Sequence, residues 1–263
     1  MGWPPVPIDS MTALGRPRAR RSRDAVRPSP TPFQRLEDRL PVHALALHEG
    51  GAAYTRRSMS LIVVRHGETG FNAARVLQPA DTPLSERGLA QARAVAERLA
   101  GAGLVAVLSS DMPRALQTAL AIVEAVPGLP LHTSALLHER NFGDLRGLPI
   151  ESLDHDPIVS PEAPPGGESM ARVLDRARQA FAEAVALHRR LGGPLAVVSH
   201  GLVIRAWLEH QVRLGTDPRR APRIGNTAVC EIDPRAPHAV GLLNCTAHLV
   251  GRCAEDGSSL SGG

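Results

Sequence analysis

The feature that most constrains this chain is a short apolar run, Leu61-Ile62-Val63-Val64, that stops at Arg65-His66-Gly67-Glu68-Thr69-Gly70-Phe71-Asn72. Four apolar residues, three of them β-branched, suit a strand buried on both faces. Such strands belong to the parallel sheets of α/β domains, where ligands bind just past the carboxyl ends. Gly67 permits a sharp turn at that point. Arg65 and His66 are therefore placed to meet an anion, with the backbone N–H groups of the next turn behind them.

The pattern then repeats. Ser85 suits an N-cap for a helix over Glu86–Ala100, with Leu89, Ala92, Val95, Ala96 and Leu99 on one face. Leu104–Leu108 reads as a second buried strand, with Ser109-Ser110-Asp111 at its carboxyl end. A helix follows from Pro113 to about Val126 and carries Arg114 in its first turn. A short strand near Leu131 leads into the segment Leu137–Gly147. Residues 148–168, rich in proline and acids, read as a loop. From Glu168 the period is helical again, with Val173, Leu174, Ala177, Ala180, Phe181, Ala184 and Leu187 sharing a face. Leu195–Val198 is a third buried strand ending in Ser199-His200-Gly201, and a helix over Leu202–Val212 follows. Thr227–Ile232 and Ala239–Leu243 read as the last strands. This alternation predicts an α/β fold: a three-layer α/β/α sandwich around a mostly parallel central sheet.

Composition sets the limits. The domain is expected over residues 59–250, preceded by an Arg/Pro-rich leader over 1–58 and followed by a polar tail over 251–263. The first 41 residues carry eight prolines, and residues 16–27 hold six arginines with no hydrophobic period. That stretch cannot offset its own ordering entropy and is expected to be a disordered arm. The chain has no lysine. Ten of its 30 arginines face only five acids in residues 1–58, a net of +5, so the pI of 9.7 comes mainly from the leader. The rest is nearly neutral and poor in aromatics, which favours neither nucleic acid nor a membrane surface as partner. Cys230, Cys245 and Cys253 fit neither a disulfide framework nor a metal pair, so a reducing, cytoplasmic location is expected.

Arg65 and His66, then Arg114, then His200 thus come to one edge of one sheet. Two guanidinium forks and two imidazoles on one rim suit phosphate oxygens. The strand–His–Gly pattern at 66 and again at 200 is the stronger signal. At this point the chain resembles the histidine phosphatase superfamily, in its phosphoglycerate mutase-like branch. The matching residues are Arg65-His66-Gly67-Glu68-Thr69-x-x-Asn72, Ser109-Ser110-Asp111-x-x-Arg114, Glu139-x-x-Phe142-Gly143, Gly166-Gly167-Glu168-Ser169 and Ser199-His200-Gly201. The resemblance implies that His66 is a nucleophile that becomes phosphohistidine. It implies that Arg65, Arg114 and His200 hold the phosphoryl oxygens and that Glu139 is the proton donor. Asn72 and Gly201 become further substrate contacts. The loop Gln78-Pro79-Ala80-Asp81-Thr82-Pro83-Leu84 departs from the family pattern, with a proline where a glycine is usual, which removes a backbone N–H.

These roles make physical demands. The two arginines favour a neutral, nucleophilic His66 and should keep Glu139 ionised until a phosphate dianion cancels their field. Phosphoryl transfer here needs no metal or other cofactor, because positioned cations neutralise the developing charge. Asp154-His155-Asp156 reads as a solvated cluster. The expected function is hydrolysis of a small phosphorylated metabolite. A cofactor-dependent phosphoglycerate mutase and an idle phosphate-binding module are the alternatives. A mutase needs a second anion site, whereas residues 148–170 contain no Arg or Lys, and the acids Glu151, Asp154, Asp156, Glu162 and Glu168 should repel a bisphosphorylated substrate. Only Arg140 and Arg146 remain nearby to receive one, and a solvated surface position is the alternative for either.

Overall fold

The structure, a computed structural model, describes residues 60–214 and 222–251. The leader expected over 1–58, Cys253 and all but the first residue of the expected tail lie outside the described residues. Strands β1 (Leu61–Arg65), β2 (Ala106–Ser109), β3 (Leu131–Thr133), β4 (Leu195–Ser199), β5 (Val229–Ile232) and β6 (Val240–Cys245) form one sheet in the order β3-β2-β4-β1-β5-β6. β1 to β4 are mutually parallel, while β5 runs antiparallel to both of its neighbours. The sheet is mixed and mostly parallel, as the alternation predicts. β5 runs backwards because the chain reaches it from the site end of β1. There Thr227 donates its N–H to the carbonyls of Arg65 and His66 at 3.1 and 3.3 Å, and the strand can only return.

Helix α1 is the short Gly70–Ala73 turn, which the apolar period does not foretell. α2 (Glu86–Leu99) starts where the Ser85 hydroxyl accepts the Gly88 N–H, and α3 (Pro113–Ala125) starts at proline. Both cover one face of the sheet. Val95, Leu99, Ala115, Ala119 and Ile122 pack there on Ile62, Val64, Val107, Ala196 and Val198. Leu89, expected on that face, is 38% exposed. α4 (Met170–Leu191) and α5 (Gly201–His210) touch β1 from the opposite side. Phe181 of α4 meets Trp207 of α5 edge-on at 5.3 Å, and the indole N–H donates to the Ala177 carbonyl at 2.7 Å. α5 ends at His210, short of the expected Val212. Each buried aliphatic side chain contributes roughly 1.5–3 kcal/mol, and a double-sided core of this kind can hold a rim dense in buried charge. Register decides where that rim lies: Arg65 pairs with Ser199 and Ser109 with Val198, so β1, β4 and β2 end level.

Candidate active site

His66 emerges from the end of β1, and its backbone N–H donates to the Ser199 carbonyl at 3.0 Å, tying the ends of β1 and β4 together. Its ring Nδ1 lies 2.6 Å from the Gly67 carbonyl oxygen. A carbonyl only accepts, so Nδ1 carries the proton and Nε2 carries the lone pair. The His200 ring sits 5.1 Å away, centroid to centroid, and its Nε2 shares a hydrogen bond of 2.9 Å with the Ser110 hydroxyl at the end of β2. The turn after His66 lies backbone to backbone on α2. A Cβ on Gly67 would come within 2.5 Å of the Gly88 carbonyl oxygen, and one on Gly88 would overlap the Glu68 carbonyl. Glu68 clamps this junction, accepting from Ser85 and Arg87 through its carboxylate and donating its N–H to Gln91.

The next residues build a second layer. Thr69 caps α1, accepting the Asn72 N–H at 3.0 Å while Asn72 Oδ1 accepts the Thr69 N–H at 3.3 Å. Asn72 Oδ1 also accepts from Asn226, whose amide donates to the His66 carbonyl at 3.0 Å. Asn226 escapes sequence reasoning because it precedes β5 by chain order and reaches His66 only through the antiparallel return. Ser110 is visible in the sequence as part of a strand-end motif, but nothing local shows that its hydroxyl meets His200.

Arg65 donates to the Ile224 carbonyl at 2.7 Å, and Arg114 donates to the carbonyls of Pro79 and Ala80 at 3.5 and 3.3 Å. The unusual loop thus turns carbonyls, not N–H groups, toward the site. Glu139 follows a three-residue turn of 3₁₀-helix over Ala135–Leu137 and is 5% exposed. Its carboxylate accepts the N–H groups of Arg140 at 3.1 Å and of Leu202, in the first turn of α5, at 3.4 Å. Burial raises its pKa above the ordinary 4.5, against the opposing pull of those two N–H groups, Arg114 and Arg65. Burial also dominates at His66, lowering its pKa well below 6.5 with Arg65 and Arg114 acting in the same direction. His200 is lowered by burial, then by Arg114. Arg114 itself is pushed down to about 10 by burial and stays charged near neutral pH.

Arg65, His66, Asn72, Arg114, Glu139 and His200 are all buried, and Gly201 is buried as the first residue of α5. Nε2 of His66, Nδ1 of His200, Nε of Arg114 and Nδ2 of Asn72 have no hydrogen-bond partner among the described residues. Such atoms are costly to bury. Outside this cluster, His188 is a further case, with both ring nitrogens in the core.

A cavity of about 710 Å³ opens beside Glu139. One candidate for a second anion drops out here, and one expectation fails. Arg140 is 2% exposed and spends its donors on the carbonyls of Glu168, Pro157, Ser160 and Glu162, so it is a strut under the 148–168 loop and not a receptor for a second anion. Of the five acids expected to repel such an anion, only Glu168 lines the cavity, and Arg176 grips its carboxylate at 2.9 and 3.2 Å. Asp154, His155 and Asp156 are exposed. Among the described residues no group of three His, Cys, Asp or Glu side chains could hold a metal ion.

Known proteins share this arrangement. The sequence model of the histidine phosphatase superfamily (branch 1) matches residues 61–244. A probable phosphoglycerate mutase GpmB of Yersinia pestis (strain Pestoides F) is 34% identical over 185 residues, covering 66% of this chain and 85% of its own. Among solved structures, a mycobacterial glucosyl-3-phosphoglycerate phosphatase is 29% identical with a TM-score of 0.60, covering 72% of this chain and all of its own. YhfR of Bacillus stearothermophilus is 28% identical with a TM-score of 0.61, covering 72% of this chain and 98% of its own. A match of that extent, over a sheet whose strand ends carry the paired histidines, makes this chain a member of the histidine phosphatase superfamily, branch 1.

Proposed function

We propose that this protein is a metal-independent phosphatase that hydrolyses small phosphate monoesters through a phosphohistidine on His66, with Glu139 as proton donor. The observation that carries the reading is the cluster of partnerless buried nitrogens on His66, His200, Arg114 and Asn72, which a phosphoryl group would satisfy together. Nε2 of His66 attacks phosphorus in line with the ester oxygen, and the P–O bond breaks as Glu139 passes its proton to that oxygen. The alcohol leaves. Glu139, now a carboxylate, takes a proton from water as the water oxygen attacks phosphorus and the P–Nε2 bond breaks, returning the lone pair to His66. Inorganic phosphate departs, and both residues return to their starting state. Arg65, Arg114 and His200 hold the equatorial oxygens, while Asn72 and the backbone at Gly201 complete the cradle. The guanidiniums supply the neutralisation that a metal gives elsewhere.

The cytoplasmic placement rests on the free thiols Cys230 and Cys245. Among the described residues no helix is long and apolar enough to cross a membrane.

Hydrolysis is favoured over phosphoryl return because the cavity beside Glu139 is large, within the size range that encloses drug-sized ligands, and its rim residues Asp81, Asp111 and Gly166 are exposed. Water can reach the phosphoenzyme there. The mutase reading keeps support from the GpmB relative and from Glu139-Arg140-Asn141-Phe142-Gly143. An idle binding module is the weakest reading, since no member of the set is missing. Turnover of p-nitrophenyl phosphate in EDTA is expected. So is hydrolysis of monoesters that outpaces 3-phosphoglycerate to 2-phosphoglycerate conversion primed with 2,3-bisphosphoglycerate. Faster isomerisation than hydrolysis of every monoester tried would replace the phosphatase with a mutase.

A further inference from the structure

Glu139 sits on a stretch that no helix or sheet ladder holds. It lies between the 3₁₀ turns Ala135–Leu137 and Gly143–Leu145, and the successive carbonyls of Leu136, Leu137, His138 and Glu139 accept from side chains. Ser199, at the end of β4, donates its hydroxyl to the Leu137 carbonyl at 3.0 Å. The others go to one guanidinium. Arg176, near the start of α4, donates to the carbonyls of Leu136, His138 and Glu139 at 3.0, 2.5 and 3.4 Å. Main-chain acceptors outside a ladder are costly to bury unmatched, and here a single side chain collects them.

The same guanidinium also grips Glu168, Nε donating to one carboxylate oxygen at 3.2 Å and Nη2 to the other at 2.9 Å. Glu168 in turn accepts the Asn141 N–H at 2.9 Å and donates its own N–H to the Asn141 carbonyl at 2.8 Å. Arg176 and Glu168 thus tie the chain before Glu139 to the chain after it through one rigid plane. α4 holds the entry to this stretch as well, because Glu183 accepts the Ser134 hydroxyl at 2.6 Å. At its far end the Glu139 side chain is fixed by the N–H groups of Arg140 and Leu202. A general acid must come within about 2.6–3.2 Å of the oxygen it protonates, so the grip on this main chain sets that distance.

Resting on the reading of Glu139 as proton donor, we infer that Arg176 is a positioning residue for the reaction, fixing where the Glu139 carboxyl meets the ester oxygen. Arg176 lines the cavity, but its N–H donors are taken by the protein's own carbonyls and by Glu168. It therefore acts through Glu139 and not on the substrate. A lysine in its place would keep the charge but could not bridge the backbone and the carboxylate at once, since its donors radiate from one point.

The test uses the full chain and two substrates: p-nitrophenyl phosphate, whose leaving group needs little protonation, and glycerol 3-phosphate, whose alkoxide needs it. Arg176→Lys should lower kcat on glycerol 3-phosphate by roughly 10–10², the scale of a misplaced catalytic group, with a much smaller loss on p-nitrophenyl phosphate and KM nearly unchanged. In the Glu139→Gln background the same substitution should cost almost nothing more on glycerol 3-phosphate, because the group it positions is gone. Equal losses on both substrates, or losses that multiply with that of Glu139→Gln, would make Arg176 a structural strut and overturn the inference. A raised KM at unchanged kcat would make it a substrate ligand and do the same. Should Arg176→Lys fold poorly, Glu168→Gln loosens the grip from its other side and is read by the same criteria. The single variants separate this inference from the reading beneath it. Selective loss in Glu139→Gln but not in Arg176→Lys keeps the donor and removes the positioning role. Selective loss in Arg176→Lys but not in Glu139→Gln removes Glu139 as donor and leaves Arg176 positioning another acid of the gripped segment.

Discussion

His66 has one proton-bearing nitrogen committed to the Gly67 carbonyl and one lone pair left for chemistry. His66→Ala should abolish turnover, and rapid quench with labelled substrate should trap an acid-labile, base-stable phosphoenzyme in the wild type alone. Label persisting in the variant would move the nucleophile elsewhere. Glu139 must be protonated to serve the leaving group, and burial favours that form by raising its pKa. His66 must be neutral, and its pKa is lowered well below 6.5. The profile of kcat/KM should therefore have its acid limb well below 6.5, where His66 takes up a proton, and should fall on the alkaline side as pH rises through the raised pKa of Glu139. Glu139→Gln should cost roughly 10²–10⁴ in rate, more on alkyl phosphates than on p-nitrophenyl phosphate, and should remove the alkaline limb. An unchanged limb, or equal loss on both substrates, would point to another donor, with His138 and Asp144 the candidates closest in sequence.

The loop over residues 148–168 shows how one buried charge can organise an element that has little regular structure. Arg140 donates to four carbonyls of the 157–168 stretch at 2.6 to 3.1 Å, a span that only the planar guanidinium fork can bridge. Arg140→Lys keeps the charge but leaves buried acceptors unsatisfied. The expected cost is about 2 kcal/mol, or a fall in Tm of roughly 4–8 °C. New proteolytic cuts should appear within residues 148–168. An unchanged Tm with a raised KM would make Arg140 a substrate ligand instead. This element was the least legible in the sequence. Its proline and acid content marks a loop, but which way the acids face depends on carbonyls gathered around a side chain from another segment.

At the scale of the whole molecule, the Arg/Pro-rich leader has no apolar period with which to dock on the domain. Deleting residues 1–58 should leave Tm and kcat/KM nearly unchanged, and a fall in Tm of more than a few degrees would show that the segment packs on the core. The α/β architecture, the three buried strands and the placing of Arg65, His66, Arg114 and His200 at strand ends or helix starts could all be read from the chain alone. Apolar period and strand-end position are local properties, and a parallel sheet turns them directly into one rim. Tertiary structure decided the rest. Asn226 reaches the His66 carbonyl because β5 returns antiparallel, and Ser110 meets His200 because β2 and β4 end level. The pKa of Glu139 is raised by a depth of burial that residue types do not reveal, against the pull of the arginines that the sequence does show. Arg140 and Arg146 look alike in sequence, yet one is consumed by carbonyls and the other lines the cavity. Such outcomes depend on which distant backbone atoms surround a side chain, and only the folded chain brings those atoms together.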